Sequence, residues 1–208
     1  MDKNFARGAG VSTANITFKP GGDIFKSTAR FLVNPVNCVG MSGALAGAFA
    51  DRYPEMAATY ESLCNSTGTG VIQMGCPIVY DFDPTGVGII LFPTMVFPGS
   101  PASLGAIVDG LLAVRKTIQR WGIKSMAFPM IGCGVGGLRW EWVRNCIIML
   151  LGDLDVTLEL YGPELGAAKS GAPVQADDWE IPLEADDWEI PLEAARRARK
   201  GVVARDTE

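Results

Sequence analysis

The chain has 208 residues, 48% of them apolar, and a formal charge of −5, enough for one domain with a full core plus a tail. It contains no histidine, which excludes Ser-His-Asp and Cys-His catalysis, most catalytic zinc sites and any imidazole general base. Five scattered cysteines (Cys38, Cys64, Cys76, Cys133, Cys146) form no CxxC pair, which fits thiols kept reduced in a cytoplasm rather than a disulfide framework or zinc site.

In chain order, residues 1–12 read as a loose leader that lacks the apolar h-region of a signal peptide. "ANITFKPGGDIF" reads as a strand followed by a Gly-Gly turn. "RFLVNPVN" is apolar without alternation, as a buried parallel strand would be. "GALAGAFADRYPEMAATYESLC" is helical and is predicted to break at Pro54. "GVIQMGCPIVYDFDPTGVGIILFPT" suggests two strands joined by a turn at Asp83-Pro84-Thr85-Gly86. "SLGAIVDGLLAVRKTIQRWG" is an amphipathic helix stopped by Gly122. "SMAFPMIG" is a strand, "LRWEWVRNCIIMLLGDL" a helix and "DVTLELYG" a last strand. This β–α alternation predicts an α/β layered domain over residues 13–163. No apolar run is long enough to span a bilayer.

Residues 164–208 read as linker and charged tail. Within them "ADDWEIPLE" occurs twice in succession, at 176–184 and 185–193, each copy with four acidic and no basic side chains. The following "AARRARKGVVARDTE" is basic, and the body before the repeat balances to neutrality. A neutral body carries no electrostatic footprint for long nucleic acid. The repeat is too short for a solenoid unit. It reads as a solvated tail, as a duplication without function, or as a pair of short motifs, Trp179-Ile181-Leu183 and Trp188-Ile190-Leu192, for a protein partner's groove.

Two junctions carry the chemistry. "MIGCGVGGLRWEW" contains Gly132-x-Gly134-x-x-Gly137, a formal GxGxxG between a strand and a helix. A dinucleotide fold would need an acidic residue closing the next strand about 20 residues later. Glu159 is near in count but falls mid-strand, leaving a nicotinamide oxidoreductase as a third-ranked reading. "LVNPVNCVGMSGALAGAF" is a second strand–glycine loop–helix junction, with Gly40 and Gly43. In a parallel sheet both loops lie at the carboxyl edge, where ligands bind, and two amide-rich loops facing each other suit a diphosphate.

"GGDIF", "LVNPVNCVG", "LFPT", "FPMIGCGVGGLRWE" and "VTLELYGP" resemble, in order and spacing, the motifs of a macrodomain. They look most like the branch of the DNA ADP-ribosyl glycohydrolase antitoxins and the terminal ADP-ribose protein glycohydrolases. The resemblance spans about 18–163 and implies a three-layer α/β/α domain with a mixed, mostly parallel sheet. It also implies a cleft for ADP-ribose, with no further cofactor and no metal. Asp23 and the Ile24 amide would meet adenine, flanked by Tyr161 and Pro163. Asn34 would be largely structural and Asn37 would contact the distal ribose, or tie down its own loop. Val39, Gly40, Met41 and Gly43 would form the first diphosphate loop; Gly132, Cys133, Gly134, Val135 and Gly136 the second. Thr94, in "FPT", would sit beside the ligand. Cys133 reads as a small apolar liner, since no base accompanies it.

The chain departs from this pattern at the chemistry. In the branch it resembles, "FPT" is followed by a catalytic lysine; here the residue is Met95, which neither attacks nor donates a proton. An aspartate used by some members is replaced by Gly136. Asn37, with Asp81 or Asp83 as a base, is the remaining route to hydrolysis by water. The expectation is a cytoplasmic monomer that binds ADP-ribose, a derivative, or ADP-ribosylated DNA or protein with weak or no turnover. The alternative is an ADP-ribosyl glycohydrolase.

Overall fold

A computed structural model describes residues 14–40, 43–66, 72–81 and 86–163. The leader at 1–12 and the tail at 164–208, with its repeat, lie outside the described residues. The elements run β1 (Asn15–Phe18), a 3₁₀ turn (Ile24–Lys26), β2 (Phe31–Asn37), α1 (Ala44–Arg52), α2 (Pro54–Asn65), β3 (Ile78–Tyr80), β4 (Gly88–Met95), α3 (Leu104–Trp121), β5 (Ser125–Pro129), α4 (Trp140–Leu151) and β6 (Thr157–Tyr161). The helix breaks where Pro54 takes the first position of α2, its fixed φ suiting a helix start and its missing N–H costing nothing there. Gly122 ends α3 in the left-handed region, at φ 62°, where a Cβ would be strained.

The sheet order is β1-β6-β5-β2-β4-β3. All pairings are parallel except β3 with β4. Successive side chains of a strand face opposite ways, and β2 and β4 feed two cores accordingly. Phe31, Val33, Ile90 and Phe92 pack with Leu111, Val114 and Ile118 of α3 and Val143 and Ile147 of α4. Leu32, Val36, Ile89 and Leu91 pack with Phe49 of α1 and Met56 and Tyr60 of α2. The result is three layers, helices on both faces of one sheet. Each fully buried aliphatic side chain in these faces contributes about 1.5–3 kcal/mol. No helix among the described residues is long and apolar enough to cross a membrane.

Two consequences bear on the site. The chain leaves β5 towards β6 and leaves β2 towards the β4–β3 side, so the strand order reverses between β5 and β2. In open sheets that reversal opens a crevice at the carboxyl ends. Because β3 runs antiparallel, Tyr80 pairs with Ile89 at the start of β4, which puts Asp81 at the opposite, amino edge. There it forms an ion pair with Arg30. Asp81 is therefore no base for a ligand in the crevice; Asp83 and most of its turn lie outside the described residues.

Candidate functional site: an amide-lined cleft at the carboxyl edge

The ends of β2, β4 and β5 enclose a cleft of about 400 Å³. Of the residues singled out in the sequence, Asn37, Gly43, Thr94 and the loop glycines Gly132, Gly134 and Gly136 line it, with Val135 and Met95. No described lining residue carries a charge. The register shifts between Val36 and Asn37, so that Asn37 pairs with Met95 and Thr94 is bypassed. Such an irregularity beside a site redirects side chains. Thr94 is buried, its hydroxyl 3.5 Å from the Val36 carbonyl.

The glycines of the loop after β5 divide into two kinds. A Cβ on Gly136 would lie 2.6 Å from the Ala102 Cβ and 2.7 Å from the Gly132 carbonyl oxygen. One on Gly132, whose φ is +71°, would lie 2.9 Å from Leu138 Cδ1 and 3.3 Å from Ala102. These two are required by the fold, because the loop packs on the segment leading into α3 and Ala102 N–H donates to the Gly136 carbonyl (2.9 Å). At Gly134, by contrast, a Cβ would meet nothing within 4 Å and φ is not in the left-handed region. Protein packing does not demand this glycine; it leaves the cleft wall bare.

The backbone amides follow the same division. Cys133, Gly137 and Leu138 donate to Met130, Gly134 and Gly132 carbonyls within the loop. The amides of Gly134, Val135 and Gly136 donate to no group among the described residues. Across the cleft, α1 begins at Gly43 without a side-chain cap and with no acidic residue in its first turn. Ala44, Leu45 and Ala46 of that turn line the cleft. An uncapped helix start carries unsatisfied N–H groups and the positive end of the helix dipole. Two sets of open donors therefore face one space, a cradle for an anion without any cation.

The remaining predicted residues stand around this space. Asn37 is buried, and its Oδ1 accepts from the amides of Val39 (2.8 Å) and Gly40 (3.0 Å). Its carbonyl accepts from the Tyr60 hydroxyl. The Val39 and Gly40 amides are thus engaged by Asn37, and the open donors on this side come from α1 instead. Met41 lies outside the described residues. Asn34 is buried within β2. Cys133 faces the core rather than the cleft, its Sγ 3.4 Å from the Ile131 carbonyl and its amide bonded to Met130. Burial pushes its pKa up to about 11, so the thiol stays protonated near neutrality and is no nucleophile.

At the β1–β6 end lie Asp23, Ile24 and Tyr161. Asp23 caps the 3₁₀ turn, Oδ1 accepting from the Phe25 amide (3.0 Å), and the Ile24 side chain is buried beneath. The Tyr161 hydroxyl donates to Glu159 Oε2 (2.8 Å), which also accepts from Ser27 (2.8 Å). Burial, then the Glu159 bond, raises the Tyr161 pKa. Glu159 thus pins the Asp23 turn to β6, a role that neither composition nor spacing signals. Pro163 accepts from the Trp140 indole (2.9 Å). Sequence reading also missed Ala102, which forces two of the glycines, and Pro98, Gly99 and Met130 of the cleft wall.

An open, mostly parallel sheet with helices on both faces and an amide-lined crevice at its reversal point defines a doubly wound class of α/β protein, whose ligands bind in that crevice. The Macro domain family model matches residues 33–147, and the chain belongs to the macrodomain family. It is 37% identical over 153 residues to the DNA ADP-ribosyl glycohydrolase of Mycobacterium tuberculosis, covering 70% of this chain and 42% of that one. The chain thus spans about two fifths of the length of this curated relative. The solved macrodomain of Thermus aquaticus DarG superposes with a TM-score of 0.66 at 30% identity, covering 72% of this chain and 99% of the other. Thermosipho africanus DarTG, solved in complex with ADP-ribose, gives 0.66 at 27% identity over 73% of this chain and 42% of that one.

Proposed function

We propose that this macrodomain binds ADP-ribose, free or attached to DNA, along the row of strand ends, and turns it over slowly or not at all. The observation that carries the reading is the pair of open donor sets, Gly134–Gly136 and the start of α1, converging on an uncharged cleft. A diphosphate there accepts amide hydrogen bonds and lies at the positive end of a helix dipole. From β6 to β4 the row spans three strand spacings, about 14 Å, which suits an elongated ligand. Adenosine would lie by Asp23, the Ile24 amide and Tyr161, and the distal ribose by Asn37, Thr94 and Met95.

The named activity of the mycobacterial relative favours a second reading, glycohydrolysis of ADP-ribosylated DNA. Against it stands the lining itself, in which no described side chain titrates near neutrality. Hydrolysis would rest on water oriented by amides, without the roughly 10²–10⁴-fold that a positioned acid or base supplies. Calorimetry with ADP-ribose should give micromolar affinity, about −8 kcal/mol; no heat and no thermal shift would overturn the reading. In timed release of ADP-ribose from a modified oligonucleotide, Met95→Lys should exceed the unmodified protein by at least about 10-fold. Fast release by the unmodified protein would favour the glycohydrolase instead.

A further inference from the structure

Among the described residues, two exposed large apolar side chains, Trp142 and Met149, stand on α4, and the other five, Val39, Val96, Phe97, Met130 and Val135, stand on the loops that follow β2, β4 and β5. Of these five, Met130 and Val135 line the cleft. Phe97 is the one aromatic ring among the five loop residues and is 59% exposed, against 38% for Trp142 on α4. Its backbone is held fast. Ser100 accepts from the Phe97 amide (3.1 Å) and donates to the Phe97 carbonyl (2.8 Å), closing a tight turn. The Cys38 amide donates to the Val96 carbonyl (3.0 Å), tying this turn to the loop after β2. The next residues, Pro98 and Gly99, form cleft wall, as does Met95 two positions earlier. The ring is therefore presented to solvent from a pinned turn at the β4 end of the cleft.

We infer that Phe97 is a stacking platform for the nucleobase that carries the ADP-ribose, in a single strand of DNA. This rests on the reading of the cleft given above. With adenosine at the β6 end, the distal ribose and whatever is attached to it leave the cleft at the β4 end, beside Met95 and Phe97. The cleft offers no described cation to hold the phosphates of an attached strand, so recognition of the attached group falls to the exposed apolar side chains of these loops, Phe97 beside Met95 and Pro98 foremost. The flat π-face of a nucleobase matches a flat, exposed ring, and aromatic stacking holds bases of any sequence. The base must be unpaired, since a duplex already covers both its faces.

The test compares three probes by calorimetry: free ADP-ribose, a short single-stranded oligodeoxynucleotide modified on one base by a DNA ADP-ribosyl transferase, and an ADP-ribosylated peptide. Met95 is kept, so turnover does not obscure binding. Phe97→Ala should weaken the oligonucleotide about 10-fold, leave free ADP-ribose and the peptide unchanged, and leave the melting temperature unchanged. Phe97→Trp should retain or strengthen oligonucleotide binding. Equal affinity of Phe97→Ala and the unmodified protein for the oligonucleotide would overturn the proposal. So would an equal loss with free ADP-ribose, which would make Phe97 part of the cleft, or with the peptide, which would make it a general apolar contact. Failure of the unmodified protein to bind free ADP-ribose marks a failure of the cleft reading itself, and the subsite falls with it.

Discussion

The loops after β2 and β5 face each other across one cleft, and both are rich in glycine, but they supply donors by different means. The loop after β5 satisfies its own flanks internally and leaves the Gly134, Val135 and Gly136 amides open in the middle. The loop after β2 spends the Val39 and Gly40 amides on Asn37 and offers the uncapped start of α1 instead. One loop is an anion cradle made by its own turn; the other is a strut that aims a helix. Glycine content alone does not distinguish them. What distinguishes them is which amides already have partners.

The sharpest way to break this comparison lies within the second loop. Gly134→Glu starts from a Cβ position with nothing within 4 Å, on a residue that lines the cleft, and so brings a carboxylate to the cleft wall. We expect ADP-ribose affinity to fall by more than about 100-fold, through bulk and like-charge repulsion, with the melting temperature near that of the unmodified protein. Gly136→Val should do the reverse in kind. Its side chain would overlap Ala102 and the Gly132 carbonyl, an overpacking worth about 1–3 kcal/mol, read as a lower denaturation midpoint. If Gly134→Glu retained affinity, or Gly136→Val were as stable as the original, the division of the loop into fold glycines and a ligand glycine would be wrong.

The order of elements was legible in the sequence because each rests on local chemistry: apolar runs for β2 and β4, Pro54 for the break between α1 and α2, Gly122 for the end of α3. The edge that bears the cleft was legible too, since two strand–loop–helix junctions in a parallel sheet share it. The inner economy of the site was not. Gly132, Gly134 and Gly136 look alike in a motif; only Ala102, thirty or more positions away, separates them. Cys133 turns to the core although its neighbours face the ligand side. Asp81 looked available as a base until the antiparallel edge strand carried it to the far side of the sheet, to Arg30. Each of these depends on a contact distant in sequence, which periodicity and spacing do not encode.

The smallest expected effect concerns the strut. Asn37 Oδ1 accepts two amides at 2.8 and 3.0 Å in a buried position. Asn37→Ala leaves both donors without that partner and frees the loop that leads into α1. Unmade buried hydrogen bonds cost about 1–3 kcal/mol, less where water reaches the loop. For a domain of this size each kcal/mol lowers the melting temperature by about 2–4 °C, and the loosened helix start should cost about 5- to 10-fold in ADP-ribose affinity. Asn37→Asp separates the two roles of this residue. It keeps an oxygen that both amides reach, so the melting temperature should fall less than in Asn37→Ala. It also adds a negative charge beside the anion cradle, so affinity should still fall. Were Asn37→Asp as unstable as Asn37→Ala, the strut would depend on the amide nitrogen rather than on the oxygen. Were its affinity unchanged, the diphosphate would not lie on this side of the cleft, and the two loops would not serve one ligand.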